Sequence, residues 1–362
     1  MFELQDYHFM TRALTLAKKG LYTTHPNPRV GCVIVRDGEI LTEGWTQKAG
    51  NAHAEVHAIS RASSNLSGST VYVTLEPCSH HGRTPPCTDA LINSAVSRIV
   101  VATTDPNPRV NGEGLVRLKQ AGIHVETGLM EKQARDINKG FFSLHERFRP
   151  WVRLKSAASL DGKTAMASGE SKWITGSSAR IDGHKLRAQS AAILTGVNTV
   201  IVDDPSLTVR LEGVERQPLR VILDSNLKTP QQAKLFDKGG EVLILTCMDA
   251  EHERATGLRN KGANVVQIES DNDRLNLNKV METLAVMAIN EVHVEAGMTL
   301  TGQLISKNIA DELVIYLAPT LLGDQARGMF DIPELIELGQ QKKMQWLDRR
   351  MIGDDLRLTM RL

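Results

Sequence analysis

The N-terminal fold is decided by residues 53–87, which read HAEVHAISRASSNLSGSTVYVTLEPCSHHGRTPPC. The segment begins with the imidazole of His53, followed two residues later by the carboxylate of Glu55, and it contains the thiols of Cys78 and Cys87. Catalytic zinc sites typically take three protein ligands and keep a fourth position open for water. His53, Cys78 and Cys87 would supply the three ligands. Glu55 would lie beside the open position, where a carboxylate can take a proton from water and return it to a leaving amine.

This order of residues is close to the pattern H-x-E followed by P-C-x-x-C, which is typical of zinc deaminases that act on bases. The first half matches in full, whereas residues 79–86 form an insert between the two cysteines. A glycine and paired prolines in the insert can fold it back so that both sulfurs reach one metal. The alternatives are two unrelated buried thiols, or a structural zinc site with His80 or His81 as fourth ligand. We interpret the segment as a catalytic site because Glu55, Pro77 and both cysteines follow the pattern in order.

The composition is that of an ordinary globular protein and favours a small-molecule substrate. A length of 362 residues favours two domains, and 41% apolar with 23% charged residues is ordinary for such proteins. A formal net charge of +1 and 4% aromatic residues argue against a nucleic-acid partner, because such proteins more often carry a basic excess or stacking aromatics. Cys32 and Cys247 lie alone in apolar runs, which favours a reducing compartment over a disulfide framework. With no signal-peptide pattern and no membrane-length apolar run, we expect a cytoplasmic enzyme.

The first half shows alternating helical and strand periodicities, which predict an α/β sheet covered by helices. The predicted elements are a helix at 7–19, hairpin strands at 30–35 and 40–45, a helix at 53–62, a strand at 70–75, a helix that carries Cys87, a strand at 98–103, a helix at 114–121, a strand at 123–126 and one helix at 130–147. His53 and Glu55 fall in the first turn of their helix, where backbone N–H groups and the helix dipole favour an ionised carboxylate.

A domain boundary is predicted at Phe148-Arg149-Pro150, because proline disfavours helix at the residue before it. The two domains would then be 1–148 and 149–362. The second domain again alternates, which predicts a mostly parallel sheet with room for antiparallel strands at its end. Its predicted strands are 152–155, 192–194, 220–223, 242–245, 265–268, 291–294 and 313–317, with helices at 179–187, 277–289 and 301–309. No G-x-G-x-x-G follows these strands, so the sequence does not favour a standard dinucleotide-binding fingerprint.

Several loops could contact ligands, among them residues 171–176 and 203–210, although such loops are usually just solvated connections. Residues 25–30 and 105–110 share Pro-Asn-Pro-Arg-Val, and their asparagines either cap a tight turn or face a ligand. Residues 295–302 are small enough to bring backbone N–H groups to a phosphate at a helix N-terminus, although a plain strand-to-helix turn explains them equally well.

Together these stretches resemble the bifunctional riboflavin-biosynthesis deaminase–reductases. The matching phrases are HPNPRVGCVIV (25–35), HAEVHAI (53–59), TLEPCSHHGRTPPC (74–87), DPNPRV (105–110), LKSAASLDGKTAMASGESKWIT (154–175), LTGVNTVIVDDPSLTVR (194–210), LRVILDS (219–225) and VEAGMTLTG (294–302). The insert between the cysteines is itself a feature of that family. The resemblance implies a cytidine-deaminase-like three-layer α/β/α domain followed by a dihydrofolate-reductase-like α/β domain.

The resemblance also implies two reactions. The amino group of a phosphoribosylamino-diaminopyrimidinone is removed by hydrolysis at a single zinc, and NADPH then reduces the ribosyl group to ribityl at C1′. The substrates are small molecules, and the chain is expected to form a homo-oligomer, a dimer or tetramer, without nucleic acid or membrane as partner. Two rival hypotheses are a monofunctional base or nucleoside deaminase with an inert reductase-like domain, and a zinc-stabilised binding module in which the carboxylate has no role.

The site residues implied by the resemblance fall into five groups. Glu55 is the proton shuttle, with zinc on His53, Cys78 and Cys87. The first substrate would be held by Asn27, His80, Arg83, Asp105 and Asn107. Lys155 would do proton or charge work near C1′. The ribosyl phosphate would be held by Ser171, Arg187, Leu207, Arg210 and Glu295. NADP would be held by Ala157, Trp173, Thr199, Asp203, Ser225, Gly297, Met298, Thr299, Leu300, Thr301, Gly302 and Gln303.

Overall fold

A computed structural model describes residues 1–81, 85–237, 239–249 and 251–362. The chain divides into two compact units, Met1–Phe148 and Arg149–Leu362. The first unit contains a five-stranded sheet and the second a nine-stranded sheet. Within the described ranges, no helix is both long enough and apolar enough to cross a membrane.

The first unit alternates helices and strands as predicted. Its elements are α1 (Leu4–Ala17), β1 (Gly31–Arg36), β2 (Glu39–Trp45), α2 (Ala54–Ser60), β3 (Thr70–Val73), α3 (Cys87–Asn93), β4 (Arg98–Val101), α4 (Glu113–Gln120), β5 (His124–Thr127), α5 (Glu131–Ile137) and α6 (Lys139–Arg147). The strand order is β2-β1-β3-β4-β5. β1 pairs antiparallel with β2 and β3, whereas β3, β4 and β5 run parallel.

Helices cover both faces of this sheet because successive strand residues point to opposite sides. On one face, Val33 and Val100 pack with α1 and α5. On the other face, Ile34 and Ile99 pack with α2, α3, α4 and α6. The arrangement is the three-layer α/β/α fold expected of the first domain.

The single helix predicted at 130–147 is wrong, because the chain breaks at Asn138 into α5 and α6. The buried side chain of Asn138 accepts the N–H of Arg29 at 2.8 Å and donates to the Arg29 carbonyl at 2.9 Å. The Arg29 guanidinium in turn donates to the carbonyl of Ile137 at 2.8 Å. Together these bonds attach the loop at 25–30 to the end of α5.

The second unit contains the remaining elements. They are β6 (Trp151–Ser159), β7 (Lys163–Ala165), α7 (Ser177–Gln189), β8 (Ala192–Gly196), α8 (Val197–Asp203), β9 (Leu219–Leu223), β10 (Val242–Thr246), α9 (Glu253–Asn260), β11 (Ala263–Gln267), β12 (Ser270–Asp271), β13 (Arg274–Leu275), α10 (Leu277–Val286), β14 (Glu291–Val294), α11 (Met298–Ser306), β15 (Glu312–Ala318), β16 (Arg327–Gly328), β17 (Gln345–Ile352) and β18 (Asp355–Arg361). The strand order of the large sheet is β11-β10-β9-β8-β14-β6-β15-β18-β17.

The strands from β11 to β15 in this order are parallel, and β18 and β17 are antiparallel, which confirms the predicted mixed sheet. The parallel strands align their carboxyl ends on one edge, where ligands bind in open α/β sheets. The sequence prediction missed the β17–β18 hairpin. The alternation of Leu356, Leu358 and Met360 after the turn at Gly353, whose φ of +63° suits glycine, was the available signal.

Candidate metal centre and reductase site

The three predicted zinc ligands lie together in the first unit. His53 is the N-cap of α2, one residue before the first turn in which it was predicted, while Cys87 begins α3. The Nδ1 atom of His53 lies 3.3 Å from the sulfur of Cys87 and 3.6 Å from that of Cys78. Tetrahedral zinc with bonds of about 2.1–2.3 Å holds its ligand atoms about 3.6 Å apart. The donor set and its spacing therefore fit zinc.

The composition of the cluster bears on whether the site is structural or catalytic. Among the side chains that the structure describes, the group of three or more metal-ligand atoms within 4.8 Å of one another consists of His53, Cys78 and Cys87. His80 and His81 are outside this group, although they follow Cys78 closely in sequence. Three protein ligands are the usual number in a catalytic zinc site.

The two sulfurs are prepared differently for binding a cation. A hydrogen bond from the Cys87 thiol, together with one from His53, lowers the pKa of Cys78 to about 4. The backbone N–H of Cys87 also donates to the Cys78 sulfur, at 3.4 Å. The bond to Cys78, with burial, raises the pKa of Cys87. One thiolate is thus available at neutral pH, and zinc binding would displace the proton of the other.

Glu55 is 3% exposed and lies in the first turn of α2, beside the cluster. Burial, with the negative charge of Cys78, raises its pKa to about 7. The shift is opposite to the one expected from the helix dipole, because desolvation outweighs the backbone contribution. A carboxyl group that titrates near neutral pH is suited to accept a proton and give it back.

Two of the predicted substrate residues lie on the loop between β4 and α4. Asp105 is buried and accepts the N–H of Asn107 at 2.8 Å. Burial raises the pKa of Asp105 to about 7, and the charges of Glu76 and Cys78 act in the same direction. The side-chain oxygen of Asn107 accepts the N–H of Arg109 at 3.1 Å, so this asparagine does cap its own turn.

The other predicted contacts of the first substrate are less fully defined. Asn27 is half-buried, and its N–H donates to the carbonyl of Thr24 at 2.8 Å. His80 is half-buried two residues after Cys78, and its Nδ1 atom is enclosed without a hydrogen-bond partner among the described residues. Arg83 lies outside the described residues.

One residue of the first site was not assigned a role from the sequence. Glu76 is 4% exposed and its carboxylate accepts backbone N–H groups from Asp105, Gly112 and Gly114. A carboxylate directly after an apolar strand and directly before Pro77-Cys78 was the only local signal.

In the second unit, the topology places three of the predicted cofactor residues at the carboxyl edge of the sheet. Ala157 lies in the last part of β6, beyond the point where Leu154 pairs with Val294 at the end of β14. Thr199 is in α8, directly after β8, and Ser225 is the second residue after β9. This is the edge where dinucleotides bind in related α/β sheets.

In the segment at 297–303, the first residues are accessible to solvent or half-buried, whereas Thr301 and Gly302 are buried. Gly297 is exposed and is the N-cap of α11, followed by Met298, Thr299 and Leu300 in the first turn. The Thr301 hydroxyl is buried and donates to the carbonyl of Gly297 at 3.1 Å. A Cβ on Gly302 would lie 2.0 Å from the carbonyl oxygen of Asp331, so Gly302 packs against its own chain. Gln303 is half-buried in the next turn.

An ion pair forms the centre of the predicted substrate side. The Arg187 guanidinium donates to both carboxylate oxygens of Glu295, at 2.5 Å and 2.8 Å, and to the carbonyl of Thr208 at 2.8 Å. The Nε2 atom of the fully buried His293 lies 3.2 Å from the same carboxylate. Burial lowers the pKa of Lys155, with Arg187 acting in the same direction and Glu295 opposing it.

His184 is a second residue that sequence reasoning missed. It lies on α7 one turn before Arg187, and its Nδ1 atom accepts the N–H of Arg210 at 3.2 Å. Burial and the neighbouring cations Arg187 and Arg210 lower its pKa to about 4, so the ring is neutral at pH 7. Its partner is a backbone group from a distant loop, which no local pattern reveals.

The remaining predicted residues lie on the segments before α7 and from the end of α8 onward. Leu207 is buried, with a φ of +50°, and Arg210 is exposed three residues later. Trp173 is 72% exposed, with the Arg180 guanidinium 4.7 Å from its ring centre. Ser171 and Asp203 are half-buried, at the loop before α7 and the end of α8.

Two protein-domain families match this chain. Residues 4–103 match the cytidine and deoxycytidylate deaminase zinc-binding region, and residues 150–357 match the RibD C-terminal domain. The riboflavin biosynthesis protein RibD of Escherichia coli (strain K12) is 46% identical, with 98% of each chain covered. That of Haemophilus influenzae is 47% identical, with 99% of this chain and 98% of the relative covered.

Solved structures agree over the same length. RibD of Acinetobacter baumannii superposes with a TM-score of 0.91 at 44% identity, covering 99% of this chain and 98% of that one. A diaminohydroxyphosphoribosylaminopyrimidine deaminase/5-amino-6-(5-phosphoribosylamino)uracil reductase of Thermotoga maritima gives a TM-score of 0.88 at 34% identity, with 99% and 98% covered. The predicted fold class is confirmed, and both the zinc-binding deaminase domain and the NADPH-using reductase domain are present. The chain therefore belongs to the RibD family and is a bifunctional deaminase and reductase of riboflavin biosynthesis.

Proposed function

We propose that the domain at 1–148 hydrolyses the amino group from 2,5-diamino-6-(5-phosphoribosylamino)pyrimidin-4-one. The domain at 149–362 would then reduce the ribosyl group of the product to ribityl phosphate. The substrate is supported by the Thermotoga relative, whose name carries both reactions. The observation that carries the first half is the cluster of His53, Cys78 and Cys87 beside a buried carboxylic acid.

In the deamination, the chain's own acid–base group is Glu55. Zinc, when held by His53, Cys78 and Cys87, supplies a Lewis acid that makes water a better nucleophile. Glu55 takes a proton from the attacking water and delivers it to the leaving amine, so that one amine and one water become a carbonyl and ammonia. Its pKa of about 7 lets it hold that proton between the two steps.

The contacts that would hold the pyrimidine are proposed on the same basis. Asp105 and Asn107 lie on one loop close enough to the metal centre for the charge of Cys78 to raise the pKa of Asp105. Asn27 and His80 would complete the contacts to the ring. Arg83, outside the described residues, would bind the phosphate, since a guanidinium fits a phosphate with two hydrogen bonds.

In the reduction, NADPH supplies the hydride and the chain orients the reactants. Ala157, Thr199, Ser225 and Gly297 lie at the carboxyl edge of the sheet, which supports cofactor binding there. Trp173, Asp203 and the helix start at 298–300 would add contacts to the same cofactor, with Thr301, Gly302 and Gln303 supporting that turn from within.

The ribosyl phosphate would lie beside the Arg187–Glu295 ion pair. Ser171, Leu207 and Arg210 would line its binding site, with Arg210 as the exposed cation for the phosphate. Lys155, with its lowered pKa, would hold charge or move a proton at C1′ as the sugar ring opens.

We also propose that the chain forms a homo-oligomer through the surface of β17. This edge strand leaves Trp346 55% exposed and Met351 60% exposed, an apolar surface that a second copy could cover. Light scattering should show a dimer or tetramer, and Trp346→Lys should shift the protein toward monomer.

Cys32, Cys78, Cys87 and Cys247 form no disulfide bonds, which supports a location in the reducing cytoplasm.

Product analysis tests the proposed reactions directly. The zinc-loaded protein should release ammonia from the diaminopyrimidine without NADPH, and it should oxidise NADPH only when the deaminated pyrimidine is present. Absence of ammonia release from this compound would reject the substrate. Ammonia release without any NADPH oxidation would favour the monofunctional alternative.

A further inference from the structure

Glu76 lies between the strand that leads to a zinc ligand and the loop that carries two proposed substrate contacts. It follows β3 and precedes Pro77-Cys78, and its side chain is buried. Its N–H donates to the carbonyl of Thr103 at 3.0 Å, so the end of β3 continues to pair with the chain after β4. A buried carboxylate is costly unless several donors satisfy it.

The donors come from both ends of one segment, 105–114. One oxygen of Glu76 accepts the N–H of Asp105 at 3.1 Å and that of Gly112 at 3.0 Å. The other oxygen accepts the N–H of Gly114 at 2.9 Å. Gly112 is the N-cap of α4, so the carboxylate also lies where the helix dipole favours a negative charge. A single side chain therefore closes the loop at its beginning and its end.

The start of α4 is seated directly against the residues before Cys78. A Cβ on Gly114 would lie 2.2 Å from the carbonyl oxygen of Pro77 and 3.1 Å from the Glu76 carboxylate. A side chain at this position would push the loop away, so glycine is required by the close approach.

Hydrogen bonds connect Glu76 to the middle of the loop through Asp105 and Asn107. The backbone of Asp105 is fixed by Glu76, and the side chain of Asp105 accepts the N–H of Asn107 at 2.8 Å. Asn107 then accepts the N–H of Arg109 through its side chain and that of Val110 through its carbonyl. Hydrogen bonds thus run without interruption from Glu76 to both proposed substrate contacts.

We propose that Glu76 is a positioning residue of the deaminase, which holds the loop of Asp105 and Asn107 in register with the zinc ligand Cys78. It does not touch the reacting atoms. Its role is to fix the distance between the pyrimidine-binding loop and the metal, so that the substrate reaches Glu55 in a productive pose. The inference rests on the proposed function, because it takes Asp105 and Asn107 as substrate contacts.

The first test is Glu76→Gln, which keeps the shape but offers one acceptor oxygen and turns an amide NH₂ toward a backbone N–H. We expect KM for the diaminopyrimidine to rise by about tenfold to a hundredfold, the range for bonds to a charged acceptor, with a smaller change in kcat. Zinc should remain stoichiometric. Hydrogen exchange of the amides in 105–114 should become faster, which is a readout independent of turnover.

A second variant perturbs the same contact from the other side. Gly114→Ala places a methyl group against the Pro77 carbonyl, and we expect a similar rise in KM. Because both changes would displace one loop, their effects in the double variant should be smaller than the product of the single effects. Full additivity would show that the two residues act separately, and it would overturn the proposal.

The controls separate positioning from general stability. Glu113→Gln removes the same charge from an exposed side chain at the same helix start, and it should leave deamination unchanged. NADPH oxidation by the second domain should be unchanged in every variant. Glu76→Gln with a KM within about twofold of the unaltered protein would overturn the proposal, and so would loss of zinc together with activity. Failure of the unaltered protein to deaminate would instead reject the proposed function.

Discussion

Arg187 and Glu295 form a two-bond ion pair at the carboxyl edge of the large sheet, with N–O distances of 2.5 Å and 2.8 Å. Burial alone would raise the pKa of Glu295, but Arg187, His293 and Lys155 hold it well below its ordinary value. The carboxylate therefore stays ionised across the range in which enzymes are assayed. Two opposite charges are thus fixed beside Lys155, where the sugar is proposed to be reduced.

Glu295→Gln is expected to lower kcat/KM of the reductase by about a hundredfold or more, because it leaves the half-buried Arg187 without its counter-charge. NADPH oxidation with the deaminated pyrimidine measures the effect. Ammonia release by the same preparation should not change. Glu334→Gln, at an exposed position of the same unit, is the matched control. Equal loss of both activities would contradict this prediction.

The cluster of His53, Cys78 and Cys87 could be predicted from sequence, because the residue types that bind zinc and their order are encoded in one short segment. The hairpin of β1 and β2 was predicted for the same reason, since alternation and a turn are local. The break at Asn138 could not be predicted, because it depends on Arg29, 109 residues away. Glu76 and His184 were missed as well, since their partners are backbone N–H groups of other loops and leave no trace in residue type.

Metal removal should separate the two activities. Cys78→Ala is expected to abolish bound zinc and ammonia release while NADPH oxidation persists, because the ligand lies in the first unit. Metal analysis and both assays on one preparation measure this. Cys247→Ala, a free thiol in the second unit, should leave zinc content unchanged. Stoichiometric zinc in Cys78→Ala would remove this residue from the ligand set.

Glu55→Gln should lose ammonia release but keep its zinc, whereas a variant of a zinc ligand should lose both. The amide cannot shuttle a proton, so we expect ammonia release to fall by about a hundredfold to ten-thousandfold, the usual contribution of general acid–base catalysis. Zinc should stay bound, since Glu55 is not part of the ligand cluster. Unchanged turnover with zinc in place would rule out the proton-transfer role and favour a zinc-stabilised binding module.

Arg210→Ala is expected to weaken the second substrate specifically. Arg210 is exposed on a loop whose backbone is fixed by His184, and its guanidinium, which donates to the Thr208 hydroxyl at 3.5 Å, has further N–H groups to offer a phosphate. KM for the phosphorylated pyrimidine should rise by about tenfold or more, the worth of one charge-assisted contact, while KM for NADPH stays constant. Arg274→Ala, another exposed arginine of the second unit, is the control. A rise in KM for NADPH alone would reassign the residue to the cofactor.

The ionisation of Asp6 should make the stability of the first unit depend on pH. Hydrogen bonds from Arg98, at 2.7 Å and 3.1 Å, lower its pKa to about 2 from an ordinary 3.8, and the Tyr72 hydroxyl donates to it at 2.7 Å. A carboxyl group whose pKa is lower in the folded state stabilises the fold above its ordinary pKa. The contribution is lost as pH falls from 3.8 toward 2. It amounts to about 2 kcal/mol at neutral pH.

Asp6→Asn should therefore reduce the free energy of unfolding of the first unit by about 2 kcal/mol at pH 7, and by nearly as much at pH 5. The difference from the unaltered protein should shrink below pH 4, because protonation then removes the same charge from both. Urea unfolding, monitored by hydrogen exchange of the β4 amides, measures the free energy of unfolding of each protein at each pH. Asp37→Asn, in the exposed turn between β1 and β2, should cost little at any pH. If the difference in free energy of unfolding between Asp6→Asn and the unaltered protein stays constant down to pH 3, Asp6 acts through packing and not through its charge.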